Sequence, residues 1–98
     1  MTTHTEFLRD SRRHFLRRLK ERYGLLMSID YYNLLCNTME DAPKLAEISG
    51  DIKSIRKVRY QKKTIIVIFD ERYRKLDTCL PNNINIKNYI ARMRMGEG

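Results

Sequence analysis

A chain of 98 residues has room for one small domain and one modest hydrophobic core, which excludes a multidomain arrangement. Its 42% hydrophobic and 33% charged residues describe a folded chain with an ionic surface rather than a disordered one. Twenty Lys and Arg against twelve Asp and Glu give a formal charge of +8, which favours a polyanionic partner, and the longest apolar run, "IIVIF", is far too short to cross a bilayer.

Residues 1–24 read as an amphipathic helix. Thr3 or Thr5 stands where an N-cap belongs, Glu6 lies near the positive end of the dipole, and Gly24 is placed to stop it. Leu8, Phe15, Leu16, Leu19 and Tyr23 fall on one apolar arc, Arg13, Arg17 and Lys20 point away, and Arg12 projects anomalously into the arc. His14, Arg18 and Arg22, four residues apart, form a column on one flank that drifts toward the apolar side, so Arg22 should be the most sheltered and His14 the most exposed. A second helix over 28–40 has Ser28 as N-cap and Ile29, Tyr32, Leu35, Cys36 and Met39 at helical spacing. Pro43 and Gly50 then mark a loop, with a short strand at "LAEIS".

From 45 to 81 the period becomes that of strands. "IRKVRYQ", "TIIVIFD" and "KLDTCLP", joined by the polar turns "KK" and "ERYR", predict an antiparallel meander. "IIVIF" is apolar on both alternating faces and so belongs at the centre. In the last strand, strict alternation puts Leu76, Thr78 and Leu80 on one face and Asp77 and Cys79 on the other. Residues 84–95 carry Ile86, Tyr89, Ile90 and Met93 at helical spacing. The expectation is one α+β domain: an N-terminal two-helix hairpin on a three- to four-stranded antiparallel sheet, with a short C-terminal helix.

The charge is uneven. Residues 1–24 carry a net +4 and residues 53–75 a net +7, whereas 25–52 carry −4. If the first helix and the central strands share a surface, it is strongly positive. Arg56, Lys57, Arg59, Lys62 and Lys63, with Tyr60 among them, have the composition of a nucleic-acid-binding edge strand. An equally good reading makes them the bases that keep an edge strand from pairing with other chains. Cys36 and Cys79 lack CxxC spacing and His4 and His14 form no paired ligand pattern, so reduced thiols, no metal and no cofactor are expected. "MTTHTEFLRDSRR" has no apolar core of signal-peptide length, so a cytoplasmic, non-membrane location is expected.

Two stretches, "HFLRRLKERYGL" and "VRYQKKTIIVIFDERYRKLDTCLP", resemble small phage and plasmid proteins related to RelE-like and colicin-type ribonuclease toxins. The resemblance implies a compact α+β domain with a basic concave surface that engages RNA and, in the toxins, cleaves it without a metal through the ribose 2′-hydroxyl. Carried over to this chain, His14 would act as general acid or base, Arg18 and Arg22 would stabilise the phosphorane, and Tyr60 or Thr78 would hydrogen-bond the scissile phosphate. Against this catalytic set stands a structural one, in which Arg18 and Arg22 bridge to Asp70, Asp77 or Glu21. The expected function is RNA binding on a ribonuclease-toxin-like fold, active or degenerate. The alternative is a non-enzymatic phage or plasmid regulator that docks on an acidic protein or a nucleoprotein complex, with a homodimer through a strand edge conceivable in either case.

Overall fold

The computed structural model describes residues 4–48, 52–81 and 83–97. In chain order these form α1 (His4–Tyr23), α2 (Ile29–Thr38) running into a 3-10 turn (Met39–Asp41), β1 (Lys44–Ile48), β2 (Lys53–Tyr60), β3 (Lys63–Asp70), β4 (Lys75–Leu80) and α3 (Ile86–Glu97). The class is α+β, and the sheet is a fully antiparallel meander in the order β1-β2-β3-β4.

Helix boundaries follow local chemistry. Gly24 has φ +66° and its N–H donates to the Lys20 carbonyl at 2.9 Å, closing α1 with a left-handed residue that a side chain would strain. Ser28 caps α2 by accepting the Tyr31 N–H at 3.1 Å. Thr5 lies inside α1 rather than capping it, while Thr3 and Gly50 fall outside the described residues.

Lys44–Ile48, which takes in "LAEI", pairs with β2 as the edge strand β1, so "IRKVRYQ" belongs to an inner strand and not an edge, and Ser49 falls outside the described residues. This corrects both edge-strand readings of its bases. At the opposite edge α1 runs beside β4. There the Tyr23 hydroxyl donates to the Leu80 carbonyl at 2.5 Å and accepts the Ile66 N–H at 3.2 Å, and the Arg22 guanidinium donates to the Cys79 carbonyl at 2.5 Å. Tyr32 of α2 donates to the Leu76 carbonyl at 3.1 Å. Side-chain donors from both helices thus satisfy main-chain carbonyls of β4.

The two faces of the sheet hold separate apolar clusters. Phe15, Leu19 and Tyr23 of α1 and Tyr32, Leu35 and Cys36 of α2 pack against Val58, Ile65, Val67, Phe69, Leu76 and Cys79. On the other face Ile48, Ile55, Ile68 and Leu80 are covered by Ile84, Ile86, Tyr89 and Ile90. The two-sided apolarity of "IIVIF" therefore reports helices on both faces.

Strict alternation fails in β4. Ile68 faces Thr78 but the next residue, Phe69, faces Leu76, leaving Asp77 as the extra residue of a β-bulge. Leu76 and Cys79 consequently share the α1–α2 core while Leu80 joins the opposite cluster, correcting the expected grouping of Leu76, Thr78 and Leu80. The β2–β3 hairpin turns on Gln61 and Lys62, with φ 48° and 67°. Two consecutive left-handed residues give a tight two-residue turn, one position earlier than the expected "KK".

Candidate nucleic-acid interface

The column on α1 divides between two tasks. His14 lines a depression of about 650 Å³ together with Ser11, Thr78, Lys53, Asp77 and Tyr89. Arg18 turns to Glu21 of its own helix at 3.1 Å, and Arg22 seals the β4 edge through the Cys79 carbonyl. Exposure runs opposite to expectation: His14 is half-buried and Arg22 exposed. The reason is that α1 flanks β4 instead of lying flat on the sheet, so the middle of its flank meets side chains of the α3 face. Neither arginine pairs with Asp70 or Asp77; only the expected Arg18–Glu21 contact forms.

His14 and Thr78 do share a depression, but the lysines that line it are already paired. Asp10, Asp70 and Asp77 line it against Lys53 and Lys75. Both lysines are committed to Asp77: Lys53 lies 2.6 Å from Oδ2, an ion pair without hydrogen-bond angles, and Lys75 contacts Oδ1. Burial, with the charges of Arg18, Arg17 and Arg22, pushes the His14 pKa below 6.5 against the opposing pull of Asp77. The lining thus sets three carboxylates against two ammonium groups that are both already paired, and offers a phosphate no free cation of its own.

Tyr60 stands elsewhere. Its hydroxyl donates to the Leu26 carbonyl at 2.6 Å and its ring packs against Tyr31, with centroids 4.9 Å apart. Lys53, which lines the depression, begins the same strand; seven steps of about 3.3 Å separate the two residues by roughly 23 Å along β2. Tyr60, His14 and Thr78 therefore do not converge on one phosphate.

The basic residues of β2 and its hairpin also separate. Arg56 is 5% exposed. Its guanidinium donates to Glu71 at 2.8 Å, to Ser54 at 3.0 Å, and to the carbonyls of Met39 and Ala42 at 3.1 and 2.9 Å. It thereby ties the 3-10 turn to the sheet and has no face left for a ligand. Desolvation pushes the Glu71 carboxyl up, but the hydrogen bonds from Arg56 and Ser54 and the Arg56 charge outweigh it and hold it below its usual range. Lys57, Arg59, Lys62 and Lys63 are exposed.

One long-range contact joins the two basic segments. Lys63 Nζ donates to the Tyr23 carbonyl at 3.1 Å, bringing the hairpin tip to the C-terminal end of α1. There Arg22 and Lys63 border a shallow depression of about 390 Å³ with Tyr23, Thr64 and Ile66, none of them acidic. Along α1, Arg13, Arg17 and Lys20 are exposed; Arg17 alone has a carboxylate within reach, Glu21 at 3.9 Å. These three bases, set aside as solvated in the sequence reading, had a signal in their three- and four-residue spacing.

Both thiols are free and buried, and burial pushes the Cys79 pKa up to about 11 and raises that of Cys36. They are protonated and unreactive at neutral pH. Among the described residues no helix is long and apolar enough to cross a membrane. Comparison with known proteins finds no matching family, no similar curated protein and no similar solved structure.

Proposed function

We propose that this protein binds RNA through a basic surface on α1 and the β2–β3 hairpin and does not cleave it. The observation that carries this reading is the meeting of Lys63 with the C-terminal end of α1, the helix that also carries the exposed bases Arg13, Arg17 and Lys20. Such a row neutralises successive phosphates while making no demand on sequence. The ribonuclease-toxin resemblance supports an RNA ligand, and the dispersal of His14, Arg18, Arg22 and Tyr60 argues against hydrolysis by that set.

The test is fluorescence anisotropy with labelled single-stranded RNA over a salt series in EDTA, with gel analysis of the same samples. Affinity is expected to fall with salt at a slope of about 0.7 per phosphate contacted. The triple change Arg13→Ala, Arg17→Ala, Lys20→Ala should lower both affinity and slope, while the RNA stays intact with wild type and with His14→Ala alike. Salt-independent binding, or cleavage abolished by His14→Ala, overturns the reading.

A second reading, docking on an acidic protein, draws on apolar residues exposed around the start of α2: Leu26 at 70%, Leu34 at 56% and Ile29 at 49%. An interface with that apolar centre would lose less affinity to salt than RNA does.

A further inference from the structure

Between the N-terminal half of α1, the outer face of α2 and the β3–β4 turn lies a cleft of about 400 Å³, at the low end of the roughly 300–1,000 Å³ typical of small-ligand sites. Four of its lining residues, Arg9, Arg12, Arg74 and Lys75, are cationic and none is acidic, the reverse of the His14 depression. Tyr32 and Cys36, both buried, form its floor. Arg12, which the helical pattern threw into the apolar arc, is half-buried here. Lys75 is held by Asp77 and sits 5.0 Å from the Phe7 ring centroid, so it contributes charge more than a free donor. Arg74 meets only the exposed Glu40, at 3.6 Å, a solvated pair that a better anion displaces at little cost.

The turn that presents Arg74 is built rather than loose. Asp70 accepts the N–H groups of Arg72 and Tyr73, each at 2.9 Å, and Arg74 itself takes φ +51°. Phe7 of α1 meets the Tyr73 ring edge-on at 5.4 Å, tying the turn to the helix. Tyr73 remains 42% exposed, and Asn33 and Asn37 of α2 line the opposite wall.

We propose that this cleft binds one nucleotide bearing a phosphate monoester. Arg9, Arg12 and Arg74 take the dianionic phosphate, and the Asn33 and Asn37 amides hydrogen-bond the edge of the base or its sugar; the Tyr73 ring, contacted by Phe7 and by the Arg72 guanidinium 5.9 Å from its centroid, borders the site. The volume is that of a single nucleotide, so on an RNA ligand the site would receive a phosphorylated end. This deepens the RNA-binding reading and rests on it for the ligand, but Arg13, Arg17 and Lys20 lie outside the cleft lining, which makes the two separable.

The experiment compares one labelled RNA with a 5′-phosphate, a 3′-phosphate or hydroxyl ends, alongside NMR titration of the protein with adenosine 5′-monophosphate and with adenosine. Wild type should prefer one phosphorylated end by about tenfold, or 1.4 kcal/mol, and the side-chain amide signals of Asn33 and Asn37 should move with the monophosphate but not with adenosine. Arg12→Lys, which keeps the charge but loses the fork, and Arg74→Ala, at an exposed turn, should each remove the preference and leave affinity for the hydroxyl-ended RNA unchanged. Equal binding of all three RNAs overturns the cleft proposal and leaves the RNA reading standing. Monophosphate binding without RNA binding supports the cleft and overturns that reading; binding of neither overturns both.

Discussion

At the scale of residues, the charges of this protein fall into those that hold the fold and those that face outward, and burial separates them. Arg56 and Arg59 stand three positions apart in one basic stretch, yet Arg56 is 5% exposed with three kinds of acceptor and Arg59 is open to solvent. Arg56→Ala removes the ion-pair partner of Glu71, which keeps Ser54, and a donor to the Met39 and Ala42 carbonyls, and should cost about 1–3 kcal/mol. Arg59→Ala should stay within about 0.5 kcal/mol. Urea denaturation of the two variants checks the contrast, and equal midpoints would remove Arg56 from the framework. The same scale sets the acid response. His14, lowered below 6.5, is reluctant to take a proton in the folded state, so stability is full above that value and falls as the pH drops below it. Glu71, lowered below 4.5, contributes stability that is present above 4.5 and lost as the pH falls through its folded value. Urea midpoints from pH 8 to pH 3 should therefore decline in two stages, with His14→Asn flattening the first and Glu71→Gln the second.

At the scale of elements, the seam between α1 and β4 is where the helix becomes part of the sheet. A single hydroxyl, that of Tyr23, both accepts from Ile66 and donates to Leu80 across the last register pair of β3 and β4. Tyr23→Phe leaves those buried groups unsatisfied and should cost about 1–3 kcal/mol, with amide exchange at Ile66 accelerating more than at the centre of β2. Uniform acceleration would show that the seam is not locally held. The bulge at Asp77 belongs to the same seam. It carries a carboxylate to two lysines, one of them, Lys75, only 7% exposed, and that pairing is what occupies the cations of the His14 depression.

At the scale of the whole molecule, a formal charge of +8 is distributed so that the anion-attracting surface and the neutral imidazole lie apart. The exposed row on α1 meets the hairpin at its C-terminal end and comes close to the carboxylate-free cleft at its N-terminal half. From Arg9 to Lys20 is eleven residues, about 16 Å of helix. A polyanion that follows α1 would thus meet Arg13, Arg17 and Lys20 in succession. Steep salt dependence is the behaviour that such a layout demands.

Much of this was legible in one dimension. Ser28 and Gly24 announced the helix ends through capping chemistry, the two-residue period announced the strands, and the double-sided apolarity of "IIVIF" announced an inner strand, because each of these signals is local to a few neighbouring residues. Tertiary structure alone decided the rest. Whether "LAEI" covered β2 determined whether Arg56 was a ligand contact or a buried tie. The bulge reversed the facing of half of β4. The placement of α1 beside the sheet edge sent Arg22 to a main-chain carbonyl and opened Arg12 into a cleft. Burial and charge pairing depend on partners tens of residues away, and a periodic pattern carries the direction of a side chain but not what it will meet.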